Sequence, residues 1–310
     1  MTTDLFSVQE KTALFTGSSQ GLGLALAQGL GRAGSTIILN GRDPDKLGRA
    51  VESLRSLEIT AHGYAFDVRD EEAVTEGIRN IESQVGPIDI LFNNAGVMIR
   101  DPLESYSLAD WQATLSVNLT GVFLVSKCVA LGMIKRRVGK IINICSMQSE
   151  MSRPSIAPYA ASKGGLKMLT RGMATDWGKY NIQTNGLGPG YFKTDITKPL
   201  YEDPEFDAWL CGRTPANRWG ELEELTGATL FLSSKASDFV NGHILTVDGG
   251  LLACLVGTGC LSEILPGLGW AASHRARPFQ WRKPRYRATP SNRANQAKVG
   301  PHPGLEGRSS

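Results

Sequence analysis

Residues 11–23 read Lys-Thr-Ala-Leu-Phe-Thr-Gly-Ser-Ser-Gln-Gly-Leu-Gly, and Leu24 to Ala33 follows, rich in Leu and Ala. The apolar run that ends at Phe15 predicts a buried strand, and the Leu/Ala stretch predicts a helix. Between them lie Gly17, Ser18, Ser19, Gln20, Gly21, Leu22 and Gly23. Strand, glycine turn and helix in that order predict a phosphate site. Glycines let the backbone turn tightly and approach a pyrophosphate, which then sits at the positive end of the helix. The spacing is Gly-x-x-x-Gly-x-Gly rather than Gly-x-Gly-x-x-Gly. An ordinary glycine-rich turn would carry the same residues, so the rest of the chain has to decide.

Working outward, strands and helices alternate. Strands are expected at 11–16, 35–40, 60–66, 88–92, 139–145, 181–187 and 243–248, and helices near 21–33, 44–57, 70–85, 107–136, 157–179 and 221–233. Such alternation predicts an α/β, doubly wound (Rossmann) parallel sheet of seven strands with helices on both faces. A ligand then sits at the carboxyl ends of the strands.

Chemistry concentrates in Tyr159-Ala160-Ala161-Ser162-Lys163, with Ser146 upstream. Tyrosine and lysine four apart on a helix share a face. There the ammonium favours a developing phenolate, which makes the phenol a usable general acid or base. The pair alone is a weak signal, because Tyr and Lys recur at this spacing on ordinary helices. It gains weight beside a dinucleotide turn.

Taken together, Thr16-Gly17 through Gly23, Asp67-Val68, Asn93-Asn94-Ala95-Gly96, Asn118, Ser146, Tyr159 with Lys163, and Pro189-Gly190 occur in an order that resembles the short-chain dehydrogenase/reductase family, over residues 11 to 250. The resemblance implies an NAD(P)-dependent oxidoreductase with Tyr159 as proton donor. Ser146 then hydrogen-bonds the substrate oxygen, Lys163 holds the nicotinamide ribose and Asn118 anchors a water for proton resupply. A helix asparagine satisfying a backbone group would look the same. Cofactor contacts implied are Gly17, Ser19, Gln20, Gly21, Leu22 and Gly23, Asp67 and Val68 beside the adenine, and Asn94, Ala95 and Gly96 under the ribose. Tyr159 and Lys163 also belong to this set, with Pro189, Gly190 and Thr194 at the nicotinamide. Relatives are mostly homotetramers.

NADP(H) is the expected cofactor, with NAD(H) also possible. In the family an acidic residue near the end of the second strand binds the ribose hydroxyls. Here Gly41 stands in that place and Arg42 follows. A guanidinium can grip a 2′-phosphate with two parallel hydrogen bonds. A solvated Arg42 paired with Asp43 is the alternative. Gln20 departs from the basic residue that many NADP-preferring relatives carry.

Within the family the chain is similar to reductases of sugar acids that interconvert 5-keto-D-gluconate and D-gluconate. A sugar acid needs polar groups for its hydroxyls and a cation for its carboxylate. Gln148 and Glu150 are candidates for the first role and Arg100 and Arg153 for the second, beside Ser146 and Tyr159. Each arginine alone would ordinarily be a surface residue. Trp209 and Trp219 suit either a lid or a subunit contact. The alternatives are a reductase of a 2-keto-3-deoxy sugar acid or of a 3-oxoacyl thioester, and a non-catalytic NADP-binding protein. An oxoacyl pocket would want apolar lining, and an intact Ser146, Tyr159 and Lys163 argues for an enzyme.

Of the 310 residues 41% are apolar, enough for a sizeable core, and no apolar run is expected to approach the length needed to span a bilayer. The first residues, Met1 to Ser7, lack the basic region and apolar stretch of a signal peptide. Cys128, Cys145, Cys211, Cys254 and Cys260 show no Cys-x-x-Cys pairing, which suits reduced thiols in a cytoplasmic protein, and the four histidines are too scattered to signal a metal. Residues 251–310 hold nine Lys or Arg and two acids. The slight net positive charge is therefore a property of the tail, and a nucleic-acid or membrane partner is not expected from it. A single reductase domain over 1–256 is expected. Residues 257–310, rich in Gly, Pro, Ser and Arg, read as a disordered appendage from a shifted frame, read-through or fusion.

Overall fold

A computed structural model describes residues 5–194 and 197–255. The expected tail, 257–310, lies outside the described residues. Seven strands form one parallel sheet: β1 (Thr12–Phe15), β2 (Thr36–Gly41), β3 (Ala61–Ala65), β4 (Ile90–Asn93), β5 (Gly139–Ile144), β6 (Ile182–Pro189) and β7 (Ile244–Val247). Their order is β3-β2-β1-β4-β5-β6-β7. The chain steps outward from β1 in one direction, then returns and steps the other way from β4. A crevice opens above the carboxyl ends of the neighbouring strands β1 and β4, where the chain leaves them in opposite directions across the sheet.

Side chains alternate across the sheet. Ala13, Phe15, Ile37, Leu39, Ile90, Phe92, Ile142 and Ile144 pack on one face with α1 (Gly21–Arg32), α2 (Pro44–Arg55) and α9 (Thr226–Ser233). Leu14, Ile38, Leu91 and Ile141 pack on the other with α3 (Glu71–Gln84) and α5 (Gly121–Arg136). Both faces are covered, which is why the strands read as continuous apolar runs. Phe15 and Phe92 are partners in register and stack at 4.4 Å, directly beneath the crevice.

Local chemistry sets the helix starts. Asp43 accepts hydrogen bonds from the Asp45 and Lys46 amides, with Pro44 at the first helical position of α2. Asp70 caps α3 in the same way. Asp43 is thus occupied as a cap, and the partner that the alternative reading of Arg42 gave it is replaced by Asp67, at 3.8 Å.

Three features depart from the sequence-based expectation. The helix expected at 107–136 is interrupted: α4 (Leu108–Leu115) passes through a π-turn (Ser116–Thr120) into α5. Hydrophobic periodicity does not register one inserted residue. The stretch Leu108–Arg136 is also long and apolar enough to cross a membrane by length and composition, with an 18-residue window of mean hydropathy 1.8. The reading that no run reaches that length is therefore corrected. Here the segment is a core helix, with Val125, Val129 and Met133 against the sheet. Beyond α6 (Ala157–Trp177) and β6, two short helices appear that were not anticipated, α7 (Lys198–Tyr201) and α8 (Pro204–Arg213). α8 has mixed apolar and polar positions with no clean stripe, but Asp203 caps it and Pro204 starts it.

One buried side chain joins the sheet to the glycine turn. The Asn40 carboxamide donates to the Tyr64 and Phe66 carbonyls, each at 3.1 Å, and accepts from the Gly17 amide at 3.3 Å. Asn40→Ala leaves these groups unpaired in the interior. We expect a loss of about 2–4 kcal/mol, read from urea unfolding at unchanged slope. A loss below about 0.5 kcal/mol, within the range of an ordinary surface change, would show that the carboxamide does not tie the turn to the sheet.

Candidate active site

The glycine turn between β1 and α1 is shaped by contact with the segment after β4. Gly17 has φ +60°, and a Cβ there would come within 2.6 Å of the Ala95 Cα. Only glycine fits this position. A Cβ on Gly23 would run into the Asn94 carboxamide. That carboxamide donates to the Thr16 and Gly17 carbonyls at 3.0 and 2.8 Å. The Thr16 hydroxyl accepts in return from the Asn94 and Ala95 amides at 3.0 and 3.1 Å. Gly21, φ +62°, has no atom within 4 Å of where its Cβ would stand. The turn thus presents open space at the start of α1, as a pyrophosphate requires, and the residues present fit a dinucleotide.

Thr16 and Asn40 are supports that motif reading missed. A threonine after a strand and an asparagine at the end of another carry no local signal, because their partners lie 23 to 79 residues away.

On the adenosine side, Gly41 faces the Ser19 side chain. A groove of about 310 Å³ runs beside it, lined by Ser19, Gln20, Leu24, Lys46 and Arg49 among others. Lys46 and Arg49, unremarkable on an exposed helix, add positive charge there. Arg42 is exposed and leans on Asp67. Partial burial pushes the Asp67 carboxyl up, but the hydrogen bonds and charge of Arg69, with the charge of Arg42, hold it below the usual carboxylate range. Arg69 meets it through Nη2 at 2.6 Å and Nε at 3.0 Å. Val68 is buried where Gly121 passes close by.

At the other end of the crevice the four catalytic candidates converge. Ser146 follows β5 and begins a tight turn (Met147–Ser149), where its hydroxyl oxygen accepts from the Gln148 amide at 3.1 Å. Its own proton can then point to an acceptor in the site. Lys163 is 4% exposed, and its Nζ donates to the Ile144 carbonyl at 2.6 Å. The ammonium lies 5.6 Å from the centroid of the Tyr159 ring. Asn118 sits in the π-turn, wholly buried. It accepts from the Val97 amide at 2.8 Å and donates to the Val97 carbonyl at 2.9 Å and to Ser162 Oγ at 3.0 Å. Ser162 in turn donates to the Tyr159 carbonyl at 2.7 Å. Asn118 therefore clasps the loop after β4 to the helix that carries Tyr159 and Lys163. Gly96 stands between them, its Cβ position 3.5 Å from Asn118 Oδ1 and 3.9 Å from Lys163 Nζ.

Pro189 and Gly190 end β6, where a Cβ on Gly190 would meet the Asp248 backbone at 2.7 Å. Thr194 closes a small turn by exchanging hydrogen bonds with Thr197. Among the substrate candidates, Gln148 is buried and its Oε1 has no hydrogen-bond partner. Burial pushes the Tyr191 phenol up, and the charges of Arg153 and Arg100 pull against it. The Glu150 carboxylate receives Lys167 Nζ at 2.5 and 2.6 Å. Trp219 is buried, donating to Asp207 Oδ1 at 2.7 Å, whereas Trp209 is partly exposed.

Residues 11–205 match the family model described as short chain dehydrogenase. The chain belongs to that family. It is 54% identical to the gluconate 5-dehydrogenase of Gluconobacter oxydans over 252 residues, covering 81% of this chain and 98% of that one. It is 52% identical to a 2-dehydro-3-deoxy-D-gluconate 5-dehydrogenase of Formosa agariphila, covering 82% of this chain and 97% of the other. Among solved structures it superimposes with a TM-score of 0.80 on a gluconate 5-dehydrogenase from Burkholderia cenocepacia in complex with NADP and tartrate. That protein is 50% identical, and the match covers 82% of this chain and all of that one.

Thr16→Val keeps the shape of the side chain and removes the oxygen that serves the Asn94 and Ala95 amides. A stability loss of about 2 kcal/mol or more is expected, whereas Thr16→Ser should stay within about 1 kcal/mol of the parent. Chemical denaturation of the three proteins decides it. A loss in Thr16→Val no larger than that in Thr16→Ser would show that the hydroxyl does not tie the two turns together.

Proposed function

We propose that this chain is an NADP(H)-dependent reductase that interconverts 5-keto-D-gluconate and D-gluconate. The observation that carries the reading is the polar character of the site around Ser146 and Tyr159. Gln148 brings a buried amide oxygen with no partner, and Arg100 and Arg153 bring cations to Tyr191. An unpaired buried acceptor is costly, so a ligand hydroxyl that donates to it is favoured. A carboxylate suits the arginines. The likeness to the Gluconobacter oxydans enzyme supports the same substrate.

The nicotinamide supplies the hydride when bound. Gly17 to Gly23 would hold the pyrophosphate, and Asp67, Val68, Asn94, Ala95 and Gly96 would line the adenosine. Lys163 would meet the nicotinamide ribose, and Pro189, Gly190 and Thr194 the nicotinamide. Arg42 would take the 2′-phosphate, supported by Lys46 and Ser19. As negative charge grows on the keto oxygen, Ser146 donates a hydrogen bond to it and Tyr159 transfers its phenolic proton. Lys163 places its ammonium beside the phenolate that results. Asn118 keeps the helix and the loop in register, and in this reading it anchors the water that returns the proton. Glu150 contributes by fixing Lys167, one turn beyond Lys163.

A second reading draws on the Formosa agariphila relative. Its substrate shares the carboxylate and the reacting carbon with D-gluconate and differs at the two carbons next to the carboxylate. The same residues would perform that reaction. Steady-state assay separates the readings: turnover is expected with 5-keto-D-gluconate and NADPH, and oxidation of 2-dehydro-3-deoxy-D-gluconate by NADP+ with no reduction of 5-keto-D-gluconate would replace the first by the second. Activity on neither sugar acid, with a 3-oxoacyl thioester accepted, would remove both.

We further infer a cytoplasmic homotetramer. Cys128, Cys145, Cys211 and Cys254 are free thiols. Leu108, Trp111, Phe123, Leu131 and Met168 on α4, α5 and α6 are exposed, and apolar exposure of this kind suits a contact between copies. Light scattering of the purified chain tests the assembly.

Tyr159→Phe should bind NADPH normally and lose about 100-fold or more in kcat. Retained turnover would take the proton from another group. Arg42→Ala should raise the KM for NADPH about tenfold and leave that for NADH nearly unchanged, because a hydrogen-bonded charge pair to the 2′-phosphate is lost. Equal losses for the two cofactors would make Arg42 structural.

A further inference from the structure

Arg69 holds the Asp67 carboxylate more firmly than Arg42 does. Its Nη2 donates to Asp67 Oδ2 at 2.6 Å, its Nε to both carboxylate oxygens at 3.0 Å, and its own amide to Oδ1 at 3.0 Å. A carboxylate has about four lone-pair sites, and these contacts fill them. Arg42 Nη1 stands 3.8 Å from Oδ2, past hydrogen-bond distance. The backbone around the pair is held on both sides. Just before it, the Asn40 carboxamide donates to the Phe66 carbonyl at 3.1 Å. Just after it, the Asp70 amide donates to the Asp67 carbonyl at 3.1 Å, and Asp70 caps α3.

The Arg42 side chain is 65% exposed and that of Asp67 is 25% exposed. An exposed guanidinium held only by a screened attraction can turn to another anion at little cost. Without Arg69, both Asp67 oxygens would stand open. Arg42 is the other cation whose charge acts on that carboxylate. A guanidinium and a free carboxylate pair through two parallel hydrogen bonds. Arg42 would then be captured, and a 2′-phosphate would have to compete with Asp67 for it. The bare carboxylate would also repel the phosphate. NADH lacks that phosphate, so neither effect reaches it.

Resting on the NADP(H) reading above, we propose that Arg69 is a positioning residue for cofactor choice, filling the Asp67 carboxylate so that the Arg42 guanidinium stays free for a 2′-phosphate. The pairing keeps the Asp67 carboxylate in place at the adenosine end while cancelling its charge. Gly41 adds no acid there, and Lys46 and Arg49 line the groove, so the balance at this end of the crevice is positive. Arg69 and Asp67 lie two residues apart on one turn. The neutralisation is therefore built into the Asp67-Val68-Arg69 turn itself.

The test is fluorescence titration of the full chain with NADPH and with NADH, in the absence of substrate. Arg69→Ala should raise the Kd for NADPH about tenfold, the loss of one charge-assisted contact, and leave that for NADH within about twofold. Asp67→Asn on the Arg69→Ala background removes the competing anion. The Kd for NADPH should then return to within about twofold of that of Asp67→Asn alone. Adenosine 2′-monophosphate should follow NADPH and adenosine 5′-monophosphate should follow NADH, which locates the effect at the phosphate. An unchanged Kd for NADPH in Arg69→Ala, an equal rise for both cofactors, or no recovery in the double variant would each overturn the proposal. Should Arg69→Ala fail to fold, Arg69→Gln carries the test, because it keeps a long polar side chain and removes the charge. The same selective loss is expected, and an unchanged ratio of the two affinities overturns the idea. A parent chain that binds NADH as tightly as NADPH would overturn the NADP(H) reading itself, and is told apart because it shows before any substitution.

Discussion

The closeness of two turns governs this molecule. The carbonyls of Thr16 and Gly17 end in the Asn94 carboxamide, and the amides of Asn94 and Ala95 end in the Thr16 hydroxyl. This reciprocal set locks the end of β1 to the end of β4, the two strands between which the crevice opens. Glycine at 17 and 23 is what allows the approach. The depth of the crevice, the start of α1 and the path of the loop through Gly96 all follow. So does the placement of Asn118, which reaches that loop from the π-turn through Val97. The cofactor end and the catalytic end are therefore one connected polar frame, supported below by the stacked Phe15 and Phe92.

The frame extends into the core. The Asn93 carboxamide donates to Ser126 Oγ and to Asn143 Oδ1, both at 2.8 Å, and Asn143 donates to Thr170 Oγ1 at 2.9 Å. β4 and β5 are thereby pinned to α5, which follows directly on the turn that holds Asn118, and to α6, which carries Tyr159 and Lys163 near its start. Buried polar groups cost stability unless paired, and paired ones select a single arrangement. Apolar packing alone would let α6 slide by fractions of an ångström, enough to spoil the aim of Tyr159 and Lys163. Here helix position is set by directional bonds.

Much of this was legible in the chain itself. Each of the seven strands lies within a residue or two of its expected position, because runs buried on both faces carry a strong apolar signal and are bounded by turn residues. The residues of the glycine turn, with Ser146, Tyr159 and Lys163, stand where strand ends and one helix face should put them. What escaped reading was long-range or subtle. Asn40 and Thr16 act through partners distant in sequence. Lys46 and Arg49 reach the adenosine groove only because α2 packs as it does. Glu150 meets Lys167 because the turn after β5 runs along α6, and the aromatic set of Tyr191, Phe206 and Trp219 assembles from three separate segments. Helix α8 lacks a clean apolar stripe, having Leu210 as its one buried residue.

The π-turn at Ser116–Thr120 has a wider meaning for how this helix is shared between tasks. One extra residue in an α-helix turns everything beyond it by about 100°. The face that α4 shows to its surroundings is thus out of phase with the face α5 presents to the sheet, where Val122, Val125, Val129 and Met133 are buried. A straight helix of the same composition would carry a single stripe answering to a single neighbour. With the added residue, the packing half and the site-facing half are geometrically uncoupled. Shortening the chain by one residue here would leave the core stripe intact and swing Asn118 or its neighbours off the loop. The inserted residue behaves as a phase shifter, a device whose loss would be silent in the fold and audible only in the chemistry.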